Sequence, residues 1–186
     1  MVDAGCELSV AVNRNYTRLM ASARDPSDIA TLALGGVLAR FALQGINDND
    51  LQRLLSAYFP GVGSLATAES EQVVCMALSQ EEYADLTALL YEFRRDDSEE
   101  NRWVIHAIAS ACAGANHLWQ DMGLPSRDML SQLMRRYFPV LYYKNSKNMK
   151  WKKFFYKQLC DRAEVPVCKA PSCGVCSDYV NCFGPE

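Results

Sequence analysis

Four of the eight cysteines lie close together near the carboxyl end of the chain, with the spacing C-x4-C-x2-C-x5-C. They are Cys168, Cys173, Cys176 and Cys182. Thiolates are soft ligands, suited to zinc and to iron–sulfur clusters. A proline and a glycine within the segment favour tight turns. The spacing therefore predicts a loop that folds back around one metal centre.

Three kinds of site fit these cysteines. The first three repeat the C-x4-C-x2-C spacing with which plant-type ferredoxins bind a [2Fe–2S] centre, and this favours an iron–sulfur type of cluster. Structural zinc sites usually have two close pairs of ligands, whereas only Cys173 and Cys176 form a close pair here. A pair of disulfides is the third alternative. We favour the cluster over zinc, and zinc over disulfides.

The beginning of the chain bears on the disulfide alternative. Residues 1–12 have neither a basic start nor a sustained apolar core, so no signal peptide is predicted. We therefore expect a cytoplasmic location, where thiols stay reduced. No apolar run approaches the roughly 18 residues of a membrane span, so no contact with a membrane is expected.

The spacing of apolar residues predicts an all-α fold. Apolar positions recur at helical intervals behind residues that suit the first turn of a helix. The predicted starts are Asp25-Pro26, Asn47 or Asp48, Ser79, Ser98, Ser126 and Asn148. We expect one compact domain, with a helical part at residues 1–163 and the cysteine-rich metal-binding loop at 164–186 packed on it.

Charge is distributed unevenly along the chain. Residues 1–134 have 9 basic and 18 acidic side chains, whereas residues 135–169 have 10 basic and 2 acidic ones. A thiolate-ligated cluster is anionic, so a basic block just before the cysteines favours it. The net charge of −3 and the lack of a known binding motif argue against nucleic acid as a partner.

Three strings in the carboxyl-terminal half resemble one known family. They are NHLWQD at 116–121, MKWKKFFY at 149–156, and the cysteine segment with its ending CFGPE at 182–186. Together they are similar to the NifQ family, which acts in the maturation of molybdenum nitrogenase. The resemblance is specific over residues 103–186, whereas the amino-terminal half matches only as a variable helical region.

The resemblance implies a function in nitrogen fixation. In this family the four cysteines hold an iron–sulfur centre that captures molybdenum as a Mo–Fe–S cluster, which we expect to be [Mo–3Fe–4S]. The protein then donates molybdenum to the assembly of the iron–molybdenum cofactor, with the NifEN scaffold and NifH as implied partners. A donor needs no catalytic site, and the chain has no phosphate-binding loop, G-x-S-x-G or HExxH motif.

Two residues outside the cysteine segment are candidate auxiliary ligands. His117 lies in the NHLWQD string and is able to approach a metal from outside the loop, although it also fits a hydrogen-bonded packing corner. Cys160 lies eight residues before Cys168 and is better explained as a half-buried helix residue than as a ligand. His106 is interpreted as structural, and the cysteines Cys6, Cys75 and Cys112 are interpreted as core or incidental residues.

Six lysines follow the NHLWQD string and suit either molybdate or an acidic partner, although a solvated helix face explains them as well. They are Lys144, Lys147, Lys150, Lys152, Lys153 and Lys157. Two alternative functions remain: a zinc-stabilised interaction module, and an electron-transfer protein with a stable [4Fe–4S] centre.

Overall fold

The computed structural model describes residues 4–62, 78–163 and 179–184, with side chains described from residue 12. Within these ranges every regular element is an α-helix, which confirms the all-α prediction. The helices are α1 (Ala4–Ala21), α2 (Ile29–Arg40), α3 (Asp48–Tyr58), α4 (Gln80–Glu92), α5 (Glu99–Cys112), α6 (Leu118–Asp121), α7 (Arg127–Tyr137), α8 (Pro139–Lys144), α9 (Trp151–Arg162) and α10 (Tyr179–Phe183).

Four of the predicted helix starts are confirmed by their capping hydrogen bonds. In each case the side chain of the N-cap residue accepts a hydrogen bond from a backbone N–H group in the first turn, which has no partner within the helix. The confirmed N-cap residues are Asn47, Ser79, Ser98 and Ser126.

Two predicted starts are wrong by three residues. Helix α2 is capped by Asp28, whose carboxylate accepts from Ala30 N and Thr31 N, whereas the Asp25 carboxylate is engaged by Ser27 in the preceding turn. Helix α9 begins at Trp151 and not near Asn148, because Asn148 adopts a positive φ of 56° that ends the preceding turn. The turns that precede α2 and α9 thus delay both helices.

Helix α5 occupies the centre of the fold, since ten of its fourteen residues are buried. Helix α2 packs across α5 and also contacts α1, α6 and α7, while α4 lies between α5 and α9. One contiguous core of leucine, isoleucine and aromatic side chains results. None of the helices in the described ranges is long and apolar enough to cross a membrane.

A glycine fixes the position of the short helix α6. A Cβ atom added to Gly36 of α2 would overlap the Met122 carbonyl oxygen and would lie 2.9 Å from the Cα atom of Gly123. The backbone that leaves α6 therefore lies directly on α2. This contact holds α6, and the loop that precedes it, against the rigid centre of the fold.

The predicted division at residue 164 stays a prediction, because most of the carboxyl-terminal segment lies outside the described residues. The part that is described forms α10, and its Cys182 and Phe183 side chains pack against the core. Cys182 thus lies on a short helix.

Candidate functional site

A cleft of about 420 Å³ lies where three distant parts of the chain meet. One wall is the loop between α5 and α6, another is the start of α9, and α10 contributes the third. The residues that line it are Gly114, Ala115, Asn116, His117, Leu118, Gln120, Lys150, Trp151, Lys152, Lys153 and Asn181. All three strings of the family resemblance therefore contribute to one site.

The start of α9 is fixed by the turn that precedes it. The Asn145 side chain donates to Met149 O and accepts from Met149 N, both at 2.8 Å. The Arg127 guanidinium donates to the backbone oxygens of Asn148 and Met149 at 3.0 Å. Asn145 is buried, so these bonds hold the first turn of α9 at a defined place beside the cleft.

A buried ion pair joins α9 to the loop on the other side of the cleft. The Lys152 Nζ atom lies 2.6 Å from Asp121 Oδ2 and donates to Gly114 O at 2.7 Å. Only 4% of the Asp121 side chain and 18% of the Lys152 side chain are exposed. The same carboxylate accepts from Asn116 N and from Asn116 Nδ2, at 3.1 and 3.0 Å.

Residue 114 must be small for this arrangement to form. A Cβ atom on Gly114 would overlap the carboxylate of Asp121. Neither Gly114 nor Asp121 was among the functional residues that the sequence predicted. The acidic residue at the end of the NHLWQD string was an indication that Asp121 has a role. Its partner Lys152 lies 31 positions away, so a local sequence pattern could not predict the pair.

Cys182 lies directly beside the cleft. Its backbone oxygen accepts a hydrogen bond of 2.8 Å from Lys150 N, and its neighbour Asn181 lines the cleft. The Tyr179 and Phe183 rings stack with centroids 4.6 Å apart and stiffen α10. The other three predicted cluster ligands, Cys168, Cys173 and Cys176, lie outside the described residues, as does Cys75.

The two auxiliary candidates lie at different places. His117 is the N-cap residue of α6, is partly buried and lines the cleft, with its backbone N–H donating to Gln120 Oε1 at 3.1 Å. Cys160 is partly buried near the other end of α9, about 13 Å along the helix axis from Trp151 at 1.5 Å per residue. Only His117 is at the cleft.

Cys112 is buried, which agrees with the core alternative of the two predicted for it. Burial raises the pKa of its thiol to about 12, while the nearby charges of Lys152 and Asp121 act on that pKa in opposite directions. The thiol is therefore protonated at neutral pH and is a poor metal ligand. His106 packs between the rings of Tyr83 and Tyr91, and burial lowers its pKa, which fits a structural role.

The described residues contain no group of three or more histidine, cysteine or acidic side chains that is arranged to hold a metal ion. The lining residues of the cleft include three lysines and no aspartate or glutamate. Within the described ranges, the site therefore offers hydrogen-bond donors and positive charge beside one of the four predicted thiolate ligands.

Comparison with known proteins gives consistent matches. The NifQ family model matches residues 27–184, so the match extends well into the half that the sequence strings had left as variable. The NifQ protein of Azotobacter vinelandii is 40% identical over 151 residues, which cover 76% of this chain and 77% of the relative. The Klebsiella pneumoniae NifQ protein is 37% identical over 145 residues, which cover 75% and 84%.

A third relative, the NifQ protein of Rhodobacter capsulatus, is 42% identical over 87 residues, about half of each chain. No solved structure matches the chain. The family model spans the cleft, the first two sequence strings and all four carboxyl-terminal cysteines, and it ends at residue 184. The chain belongs to the NifQ family.

Proposed function

We propose that this protein captures molybdenum on a cysteine-bound iron–sulfur cluster and donates it to the assembly of the iron–molybdenum cofactor in nitrogen fixation. The observation that carries the proposal is the meeting of the three family strings at one cleft, with Cys182 beside it. The protein acts as a carrier of metal and not as an enzyme.

The donor set suits an anionic cluster. Cys168, Cys173, Cys176 and Cys182 would hold its iron atoms, and such a cluster supplies sulfides on which molybdenum can be bound and released. Lys150 and Lys153 at the cleft place positive charge near the backbone of Cys182 and thereby favour the anionic form. His117 and Cys160 are proposed auxiliary ligands, of which His117 has the better position because it lines the cleft.

The implied partners are the NifEN scaffold and NifH, and the implied location is the cytoplasm. A donor must release its cargo, so one coordination position of molybdenum has to stay exchangeable. An acceptor protein would approach that position from the side of α10, the helix that carries Cys182. The side chains of Tyr179 and Val180 on the same helix are exposed and available to such a partner.

Metal analysis tests the proposal. Protein purified without oxygen from cells supplied with molybdate should be brown and contain iron, acid-labile sulfide and molybdenum. Cys182→Ala should lose most of the iron while helical content by circular dichroism stays unchanged. Cys112→Ala, which removes a buried and protonated thiol outside the proposed ligand set, provides the control and should retain the iron. Colourless protein with zinc would support an interaction module, and iron without molybdenum would support an electron carrier.

A further inference from the structure

We propose that the exposed face of α8 is a docking surface for an acidic segment of another protein, with apolar side chains at the centre of that segment. The surface consists of Val140, Tyr143, Lys144 and Lys147, which belong to α8 and to the turn that follows it. None of these residues lines the cleft. The inference goes beyond the proposed function, because the contact requires no metal.

The first observation is the way in which α8 divides its side chains between the core and the solvent. Leu141 and Asn145 are buried and hold the helix against the rest of the fold. Tyr143 and Lys144 lie three and four residues beyond Val140, so these three side chains are neighbours on the helix surface. All three are exposed. They therefore form one face that is turned away from the core.

The second observation is that this face exposes two large apolar side chains. Val140 is 50% exposed and Tyr143 is 64% exposed. In the described part of the chain, the other large apolar side chains that are exposed are Tyr179 and Val180 of α10. Burial of such side chains by a partner is favourable, and neighbouring apolar side chains with a polar rim are typical of protein contact sites. A helix face that only met water would be polar at these positions.

The third observation is the positive charge around the apolar side chains. No acidic residue occurs in the sequence between Asp128 and Asp161. Among the described residues, neither Lys144 nor Lys147 forms an ion pair, whereas Lys157 of the same basic part pairs with Asp161. The charge complement of this surface is therefore acidic.

An aromatic ring fixes the position of one of the two charges. The Lys144 Nζ atom lies 4.3 Å from the centre of the Phe93 ring, and the guanidinium carbon of Arg162 lies 5.4 Å from the same centre. Arg162 is also paired with Glu92, so the Lys144 ammonium group retains its charge for a partner. A cation that is already ordered loses less conformational freedom when it binds a carboxylate.

The charge of the face also decides between a second copy of this chain and a different protein. A symmetric contact between two copies would place α8 against α8 and would bring the lysines of both copies together. An acidic segment of a different protein supplies the opposite charge and also covers the apolar side chains. Because α8 has only six residues, the contact is small, and it is therefore expected to be weak and reversible.

Fluorescence anisotropy tests the charges of the surface. The probe is a short labelled peptide of glutamate and aspartate with leucine and phenylalanine at its centre, added to the full-length, anaerobically purified protein. Lys144→Gln, Lys147→Gln should raise the dissociation constant about tenfold. The matched control is Arg14→Gln, Arg24→Gln, which removes the same charge from two exposed arginines in another part of the fold and should change binding less than about twofold.

A second variant tests the apolar part of the surface. Val140→Ala, Tyr143→Ala should weaken binding of this peptide about fivefold, but should weaken binding of a peptide with alanine at its centre less than about twofold. Circular dichroism verifies that each variant is folded. The docking surface would be overturned if the native protein did not bind the peptide, or if the α8 variants bound it as well as the arginine control does.

Three further measurements separate the acidic protein from other occupants. Vesicles of phosphatidylcholine and phosphatidylserine and a single-stranded oligonucleotide replace the peptide in parallel titrations, and sedimentation velocity measures self-association. Binding of vesicles or oligonucleotide in place of the peptide, or self-association that the lysine variant abolishes, would overturn the assignment to an acidic protein. Iron and molybdenum are measured in the same samples. The α8 variants should retain the native metal content, so failure of the docking surface is distinguishable from failure of the proposed function.

Discussion

At the scale of the residue, the Asp121 carboxylate organises the cleft. It pairs with Lys152 and accepts two hydrogen bonds from Asn116, and these contacts connect α9 to the loop that carries His117. Removing one member of a buried pair leaves the other charged and without compensation. The stability of the site should therefore depend strongly on this single carboxylate.

Asp121→Ala should lower the free energy of unfolding by about 3 kcal/mol, because it strands the Lys152 ammonium group in a mostly buried position. Urea denaturation followed by circular dichroism measures the change. The matched control is Asp161→Ala, which breaks the exposed pair with Lys157 on the same helix and should cost less than about 1 kcal/mol. Equal losses in the two variants would contradict the structural role of Asp121.

The thiols of Cys112 and Cys160 should differ in reactivity. Burial raises the pKa of Cys112 to about 12, so at pH 8 only about one thiol in 10⁴ is ionised, and the ionised fraction rises tenfold with each pH unit up to that pKa. Cys160 is partly exposed. Iodoacetamide labelling with peptide mapping should modify Cys160 first; rapid labelling of Cys112 in the native protein at pH 8 would be inconsistent with its burial.

At the scale of the element, capping residues made the starts of four of the ten described helices predictable. The side chains of Ser79, Ser98 and Ser126 each make the capping bond that their sequence context indicates. The start of α9 was missed because Asn148 takes a left-handed backbone conformation, which an asparagine tolerates and which depends on tertiary bonds from Arg127. A local sequence pattern cannot predict the hydrogen bond between Arg127 and Asn148, which are 21 positions apart.

Short helices were also beyond the sequence analysis. Helix α6 has only four residues, too few for an apolar period to be recognised. Its place is set by the contact of Gly36 with Met122 and Gly123. The close approach of α2 to α6 thus depends on tertiary packing. Its only indication in the sequence is the adjacent pair Gly35 and Gly36 in α2.

Gly36→Ala should lower the free energy of unfolding by about 1–3 kcal/mol, because the added methyl group must displace backbone atoms. Gly35→Ala is the control within the same helix: its nearest neighbour is the Met20 Sδ atom at 3.2 Å, at the end of a flexible side chain. That variant should be neutral or slightly stabilising, since alanine favours a helix over glycine by about 1 kcal/mol. The same loss in both would contradict the contact with α6.

At the scale of the whole molecule, the fold converts an uneven distribution of charge along the sequence into a local site. Within the described ranges, helices from the acidic part (residues 1–134) and from the basic part (residues 135–169) pack around one hydrophobic core, and three lysines of the basic part line a single cleft. From the sequence alone, the family strings, the lysines and His117 could be named as candidates for a functional site. It did not predict that they meet, because their meeting depends on contacts such as the pair between Asp121 and Lys152.

X-ray absorption at the iron and molybdenum edges, on one anaerobically purified sample, tests the central claim most directly. The account predicts that molybdenum has sulfur neighbours with iron in its next shell, that iron is bound by sulfur, and that Cys182→Ala removes both signals. Molybdenum surrounded by oxygen alone, or iron-free protein whose carboxyl-terminal cysteines bind zinc, would contradict it.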